Sequence, residues 1–254
     1  MFMPGVDVHR ALGPQAIGGV VPLAQSHAVP VRPGRLRTTG AARRLAALSP
    51  ALRPTLKRSL DVAGAFGLLA ALLPLLLLVA ALVKADGGPA LFAHERVGRG
   101  GRRFGCLKFR SMVVDSAARL EALLAADPEA RAEWEATRKL KKDPRVTAVG
   151  RFLRATSLDE LPQLLNVLRG EMSLVGPRPV PSAELAEHYG AAAALYASVR
   201  PGITGLWQVS GRSDTSYPAR VALDLRYAAN PTLLGDLRIL FKTPAAVLLR
   251  RGAY

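Results

Sequence analysis

Two acidic residues stand side by side, Asp159 and Glu160, in the segment Arg154 to Arg178, RATSLDELPQLLNVLRGEMSLVGPR. On a helix, neighbouring side chains diverge by about 100°. Such a pair does not share one proton as a protease dyad does. Each carboxylate is placed to serve its own partner, one an electrophile and the other a metal. A purely structural reading competes: Ser157 and Glu160 have the spacing of a capping box, with Ser as N-cap and Glu at the third helical position. Pro162 blurs that start, because a proline also opens helices. Arg154 lies three residues ahead of Ser157, and Arg178 lies between Pro177 and Pro179, which restrict the backbone around it. A helix start attracts anions through its free N–H groups and its dipole. Carboxylates, guanidiniums and a helix start together suit a magnesium-bound diphosphate, since a lone carboxylate would repel the diphosphate unless a divalent ion neutralised it.

The elements that must position these groups read as mainly helical, with a small β-hairpin. Ala90 to Val97 and Arg103 to Phe109 are strand-like runs around Gly98-Arg99-Gly100-Gly101, a hairpin pattern in which the glycines serve a turn rather than a phosphate. Asp115 to Lys142 reads as a polar helical stretch interrupted at Asp127-Pro128. Val149 to Arg154 and Leu158 to Leu168 read as two further helices, the second with Leu161, Leu164, Leu165 and Leu168 on one face. Helices near Ser182 to Val199, before Asn230-Pro231, and over Leu234 to Leu249 complete the pattern.

The dominant physical feature is Val62 to Val83, 22 residues without a charge. As a straight helix it reaches about 33 Å, enough to cross a bilayer core. Pro74 falls in the middle, removing one helical hydrogen bond and favouring a kink. Through residue 61 there are nine basic and two acidic residues, and from Lys84 onward 26 basic and 17 acidic. Both flanks are therefore basic, and the positive-inside tendency draws each to the cytoplasmic side. A kinked helix that enters and leaves by one face satisfies both ends, whereas a straight crossing satisfies one.

The net charge of +16 with 50% hydrophobic residues points to an anionic partner, and membrane lipids fit the apolar run. A specific nucleic-acid partner is not expected: aromatics are 6%, no binding motif appears, and the basic residues are spread along the chain. The single cysteine, Cys106, excludes an internal disulfide and a Cys-based zinc cluster, and the four histidines have no ligand spacing. There is no GxxxxGK[ST], which excludes a P-loop kinase.

Several long segments in fixed order carry a resemblance. They are KRSLD (Lys57 to Asp61), ERVGRGGRRFGCLKFRSM (Glu95 to Met112), DPRVTAVGRFLRATSLDELPQLLNVLRGEMSLVGPRP (Asp143 to Pro179), RPGITGLWQVSGR (Arg200 to Arg212) and LDLRYAANPTLLGDLRILFKT (Leu223 to Thr243). Over about residues 55 to 254 the sequence closely resembles the bacterial sugar transferases, the monotopic phosphoglycosyl transferases, and most of all the exopolysaccharide-initiating type. The resemblance implies transfer of a hexose 1-phosphate from a UDP-sugar, glucose or galactose ahead of an N-acetylated sugar, to undecaprenyl phosphate. Asp159 matches the family nucleophile, which carries the phosphosugar covalently between two steps. Glu160 matches the magnesium ligand. Arg154 and Arg178 fall on motif positions for phosphate or nucleotide contact, with Arg212 a weaker candidate. Lys108 and Arg110 either hold headgroup phosphates or form a basic strand face.

The same resemblance implies a re-entrant membrane helix over residues 55–84, bent at Pro74, and a catalytic domain over 85–254 on the cytoplasmic face of the inner membrane. Leu73 stands where the family often has a small residue, so another group must satisfy the carbonyl freed by the proline. Residues 1–54 lie outside the resemblance, as a basic, Pro- and Gly-rich tail that either attracts anionic lipid or is a disordered extension. Homodimerisation stays open. A second class of function, a non-catalytic membrane scaffold for polysaccharide assembly, keeps the fold without the chemistry; the intact Asp159-Glu160 pair argues against it.

Overall fold

The computed structural model describes residues 52–137, 140–211 and 215–248, so Arg212 and nearly all of the expected tail lie outside the described residues. The chain opens with α1 (Leu52–Lys84), 33 residues that include Pro74. A hairpin follows, β1 (Leu91–Val97) and β2 (Arg103–Phe109), paired antiparallel from Leu91 opposite Phe109 to Val97 opposite Arg103. Gly100 and Gly101, at φ 69° and 75°, make the tight connection, as the glycine cluster predicts. Next come α2 (Ser116–Ala126), α3 (Pro128–Thr137) and α4 (Ala148–Thr156), then a single 3-10 turn at Leu158–Glu160 and α5 (Gln163–Arg169).

A short strand, β3 (Ser173–Val175), pairs parallel with β4 (Gly202–Thr204), and between them lie α6 (Ser182–Tyr189) and α7 (Ala193–Tyr196). The closing helices are α8 (Tyr217–Ala229) and α9 (Leu233–Leu248). The architecture is thus mainly helical with one hairpin, plus the parallel pair β3–β4. Those three-residue strands are too short for periodicity to reveal them. The helix expected over Ser182 to Val199 is broken into α6, a 3-10 turn at Gly190–Ala192 and α7, because Gly190 takes φ 47°, ψ −126°, which no helix admits.

The inner face of α1 runs the whole length of the helix. Asp61, Ala65, Val79 and Val83 are buried, while Phe66, Leu73, Leu77, Leu78 and Leu82 stand exposed on other faces. Ala65 joins Phe104, Cys106, Leu164, Val167, Met172, Leu174, Val175, Tyr227 and Ile239 in the main core. Further along the same helix, Val79 and Val83 pack with Phe109 and Leu153 in a second cluster. Polar groups fasten the first end: Lys57 Nζ donates to Asp236 Oδ2 (2.8 Å), Arg58 to the Val167 and Leu168 carbonyls (2.7 and 3.1 Å), and the Leu174 N–H to Asp61 Oδ1 (3.1 Å). At the other end the Arg110 guanidinium donates to the Val83 carbonyl at 2.8 Å. The helix is long and apolar enough to cross a membrane, and its outward side chains are an apolar surface suited to lipid.

One local expectation is overturned. Ser157 does not cap a helix that begins with Asp159. It closes α4 instead, in the left-handed conformation (φ 58°, ψ 16°), with its N–H bonded to the Arg154 and Leu153 carbonyls and no capping bond from its side chain. Glu160 therefore makes no reciprocal capping bond to Ser157; its N–H bonds the Ser157 carbonyl at 3.2 Å. A Schellman-like end to α4 satisfies carbonyls that would otherwise be orphaned, and it outweighs the capping box.

Candidate active site

The 3-10 turn Leu158–Glu160 presents both carboxylates to one lysine. Lys108 Nζ lies 2.6 Å from Glu160 Oε1 and 3.5 Å from Asp159 Oδ2. The sequence reading sent the two side chains to separate partners; in the fold they converge, because the long Lys108 side chain on β2 bridges the angle between them. Asp159 is buried, at 8% exposure. Burial pushes its carboxyl above the ordinary range and the Glu160 charge adds to this, while Lys108 and Arg154 pull it down. The site thus holds a desolvated carboxylate with cations facing it, which favours nucleophilic use of its ionised form.

Lys108 is aimed by a polar contact that sequence reasoning missed. Asn166 is fully buried in α5, and its amide completes the outer edge of β2: Oδ1 accepts from the Leu107 N–H (2.9 Å), and Nδ2 donates to the Gly105 carbonyl (2.8 Å) and to Glu171 (2.7 Å). A side-chain amide here does what a third strand would do, leaving no buried backbone group of β2 unpaired at this point. The one signal in the sequence is an asparagine within the apolar run LLNVL.

Arg154, in the last turn of α4, donates from Nε to Ser111 Oγ at 2.9 Å and acts electrostatically on Asp159. Arg178 is exposed, on the turn after β3, with its guanidinium carbon 5.7 Å from the centroid of the Trp207 ring. Cys106, between Gly105 and Leu107 on β2, feels Lys108, Arg96 and Arg178 together with Glu160, although burial dominates and pushes its thiol up to about 11. Arg178 and the unforeseen Arg96 therefore share the surroundings of Cys106 with Lys108, and that thiol is inert at neutral pH.

Arg110 is placed differently. Its guanidinium is buried and forks onto both oxygens of Asp86, and it also donates to the carbonyls of Val83, Pro89 and Met112. The Arg110 pairing holds Asp86 at about 2. It ties the end of α1 to the hairpin, and the dyad is not among these partners.

No group of three or more His, Cys, Asp or Glu side chains occurs among the described residues. Magnesium commonly takes only one or two protein carboxylates and completes its shell with water and substrate phosphates. Asp159 and Glu160, adjacent and facing one cation, fit that pattern.

Residues 52–250 match the family model described as bacterial sugar transferase. The chain belongs to the bacterial sugar transferase family. Among similar proteins, the UDP-galactose-lipid carrier transferase of Erwinia amylovora is 57% identical over 199 residues, covering 78% of this chain and 42% of that protein. The exopolysaccharide production protein ExoY of Rhizobium meliloti is 55% identical over 199 residues, covering 78% of this chain and 88% of that one. The UDP-glucose:undecaprenyl-phosphate glucose-1-phosphate transferase of Caulobacter vibrioides is 43% identical over 208 residues, covering 78% and 72%. This sugar transferase thus spans less than half of the Erwinia protein and most of the other two.

Proposed function

We propose that the chain transfers a hexose 1-phosphate, glucose or galactose, from a UDP-sugar to undecaprenyl phosphate and so initiates exopolysaccharide synthesis. The observation that carries this reading is the buried Asp159 carboxylate held with Glu160 on Lys108. The names of relatives, which include UDP-galactose-lipid carrier transferase and UDP-glucose:undecaprenyl-phosphate glucose-1-phosphate transferase, support the substrate classes.

In the first step an Asp159 oxygen forms a bond to the phosphorus that bears the sugar. The bond from that phosphorus to the bridging oxygen breaks, and UMP leaves with the electron pair. In the second step a phosphate oxygen of undecaprenyl phosphate attacks the same phosphorus, breaks its bond to Asp159, and frees the carboxylate. Lys108 and Arg154 offset negative charge as it gathers on the phosphoryl oxygens. Glu160, with Asp159 beside it, would hold magnesium, which when bound supplies charge neutralisation on the diphosphate. Splitting the transfer in two lets a soluble donor and a lipid acceptor use one site in turn.

The membrane arrangement we favour is re-entrant, on the cytoplasmic face. Both ends of α1 are fastened to the domain, through Lys57, Arg58 and Asp61 at one end and Val83 at the other. A straight crossing would carry one of those ends away from its partners. Pro74 lies between them and leaves the Ala70 carbonyl without its intrahelical donor, which favours a bend there.

The deciding experiment is UMP release from a panel of UDP-sugars, with magnesium and undecaprenyl phosphate, by wild type and by Asp159→Asn. UMP from one sugar, formed by wild type alone and accompanied by a lipid-linked sugar diphosphate, is the expected result. A folded, membrane-bound wild type that released no UMP from any of them, or an active Asp159→Asn protein, would overturn the proposal.

A further inference from the structure

The face of the hairpin that carries Lys108 is only half covered. Directly opposed residues of an antiparallel pair share a face, so Phe92 stands with Lys108, His94 with Cys106 and Arg96 with Phe104. On β2, Phe104 and Cys106 are buried in the main core. On β1, Phe92 is 53% exposed and His94 is exposed as well, so the core stops at β2 and leaves a ledge along β1. The two rings pair on this ledge, with centroids 6.1 Å apart and planes tilted by 59°.

This ledge flanks the reacting groups. Cβ atoms of directly opposed residues lie about 5 Å apart, so Phe92 stands beside the stem of Lys108. The Nζ of that lysine is 2.6 Å from Glu160 Oε1 and 3.5 Å from Asp159 Oδ2. The Lys108 charge acts on His94 as it does on Asp159. Burial, with Arg96 and Lys108 adding to it, holds the His94 imidazole below its ordinary value. The ring is therefore neutral at pH 7 and offers one N–H donor and one acceptor nitrogen. In a UDP-hexose the sugar is one oxygen away from the phosphorus that Asp159 attacks, so the hexose lies against whatever flanks the dyad.

A hexose presents two kinds of surface, C–H faces that lie on an aromatic ring and hydroxyls that need a group able to donate and accept. Phe92 and His94, two residues apart on one strand face, supply both in a single row. The position argues for the sugar over the lipid. Leu91 is opposite Phe109, which clusters with Val79 and Val83 of α1. Successive strand residues alternate in face, so at this end of the hairpin the apolar helix belongs to the face away from Phe92.

We propose that Phe92 and His94 seat the hexose of the donor, Phe92 against a C–H face of the sugar and His94 on a ring hydroxyl, and so take part in selecting the sugar. This rests on the reading of the preceding section and adds two residues of β1 to it. The test uses the full chain in nanodiscs. Calorimetry on an Asp159→Asn background, where no donor is consumed, compares UDP, UDP-glucose and UDP-galactose; KM values for the UDP-sugar and for undecaprenyl phosphate are measured with Asp159 intact. His94→Ala should weaken the tighter-bound UDP-sugar by about tenfold, as loss of one hydrogen bond does, and leave UDP, which lacks the sugar, unchanged. Phe92→Ala should weaken it by about fivefold, and Phe92→Tyr, which keeps a ring face, should retain the binding. The donor KM should rise with these losses and the lipid KM should stay constant. In folded protein, a loss shared equally by UDP, no loss at all, or a rise in the lipid KM in place of the donor KM overturns this assignment and leaves the transferase reading intact. Should Phe92→Ala not fold, His94→Ala and Phe92→Tyr decide alone. A wild type that releases no UMP from any UDP-sugar would instead strike the transferase reading, and the calorimetric comparison of UDP with its sugars would still decide the ledge.

Discussion

Lys57 Nζ lies 2.8 Å from Asp236 Oδ2, joining the start of the apolar helix α1 to α9 across 179 residues of sequence. The Lys57 ammonium also donates to the Val175 carbonyl at 3.2 Å, and Asp236 Oδ1 accepts from the Tyr227 hydroxyl at 2.7 Å. Burial raises the Asp236 carboxyl, and Lys57 and Tyr227 oppose that rise. Removing the lysine strands a buried carboxylate, which generally costs more than removing both partners together. Lys57→Met should lower stability by about 3 kcal/mol, and the double variant Lys57→Met with Asp236→Leu should recover part of it. Denaturant unfolding in detergent checks this. A double variant that loses as much stability as the two singles summed, or more, would show that the pair is not coupled in this way.

Lys108 lowers the Asp159 carboxyl against burial. In Lys108→Met that opposition is gone, so the Asp159 carboxyl rises further and less of it is ionised at neutral pH. The acid limb of the rate profile should therefore move to higher pH. At pH 7 the rate of UMP release should fall by about 10²-fold, typical for loss of one group that stabilises developing negative charge, with partial recovery at pH 8.5. A loss of the same size at every pH would mean that Lys108 acts on the phosphoryl group alone and not on Asp159 ionisation.

The sequence made the dyad, the hairpin and the apolar helix visible because each is a local pattern: adjacent acids, alternating strands around glycines, and a charge-free run. What it hid depends on contacts between distant segments. Ser157 looked like a helix start because Ser-x-x-Glu spacing is a local signal, yet the preceding helix needed a C-cap and took the residue first. Lys108 and Arg110, two apart and alike in type, part company because Asp86 and the Val83 carbonyl engage only the second. Asn166, Trp207 and Asp224 act through partners 13 to 61 residues away or across the core, and no single-segment pattern announces them.

Gly150 lets α4 approach the strand exit. A Cβ built on it would lie 2.0 Å from the Ser111 carbonyl oxygen, a backbone atom that cannot step aside. Ser111 Oγ is the acceptor for Arg154 Nε. Gly150→Ala should thus cost about 2 kcal/mol, as overpacking does, and should also lower the rate by moving Arg154. Ser111→Ala separates the two effects, since it removes the arginine's acceptor without crowding the helix. If Gly150→Ala unfolds at the wild-type temperature with unchanged kcat, the close approach is not needed.

Asp224 supplies a stability signature with a definite sign. Burial pushes its carboxyl up to about 7, with the Tyr189 hydroxyl and the Arg178 N–H pulling the other way. The unfolded chain ionises the same group near 3.8. Between those values the folded protein keeps a proton that the unfolded chain has released. The contribution of this group is therefore fully present below about pH 4, weakens as pH rises towards 7, and is flat above. Asp224→Asn cannot titrate, so its stability relative to wild type should increase steadily from pH 5 to pH 7 and stay constant from pH 8 upward. Measuring both proteins at each pH cancels the contributions of Asp159 and Asp236, which also lie above the ordinary range. A difference that does not change with pH would place the Asp224 carboxyl in the ordinary range and remove the electrostatic reason for the tyrosine beneath the Arg178 turn.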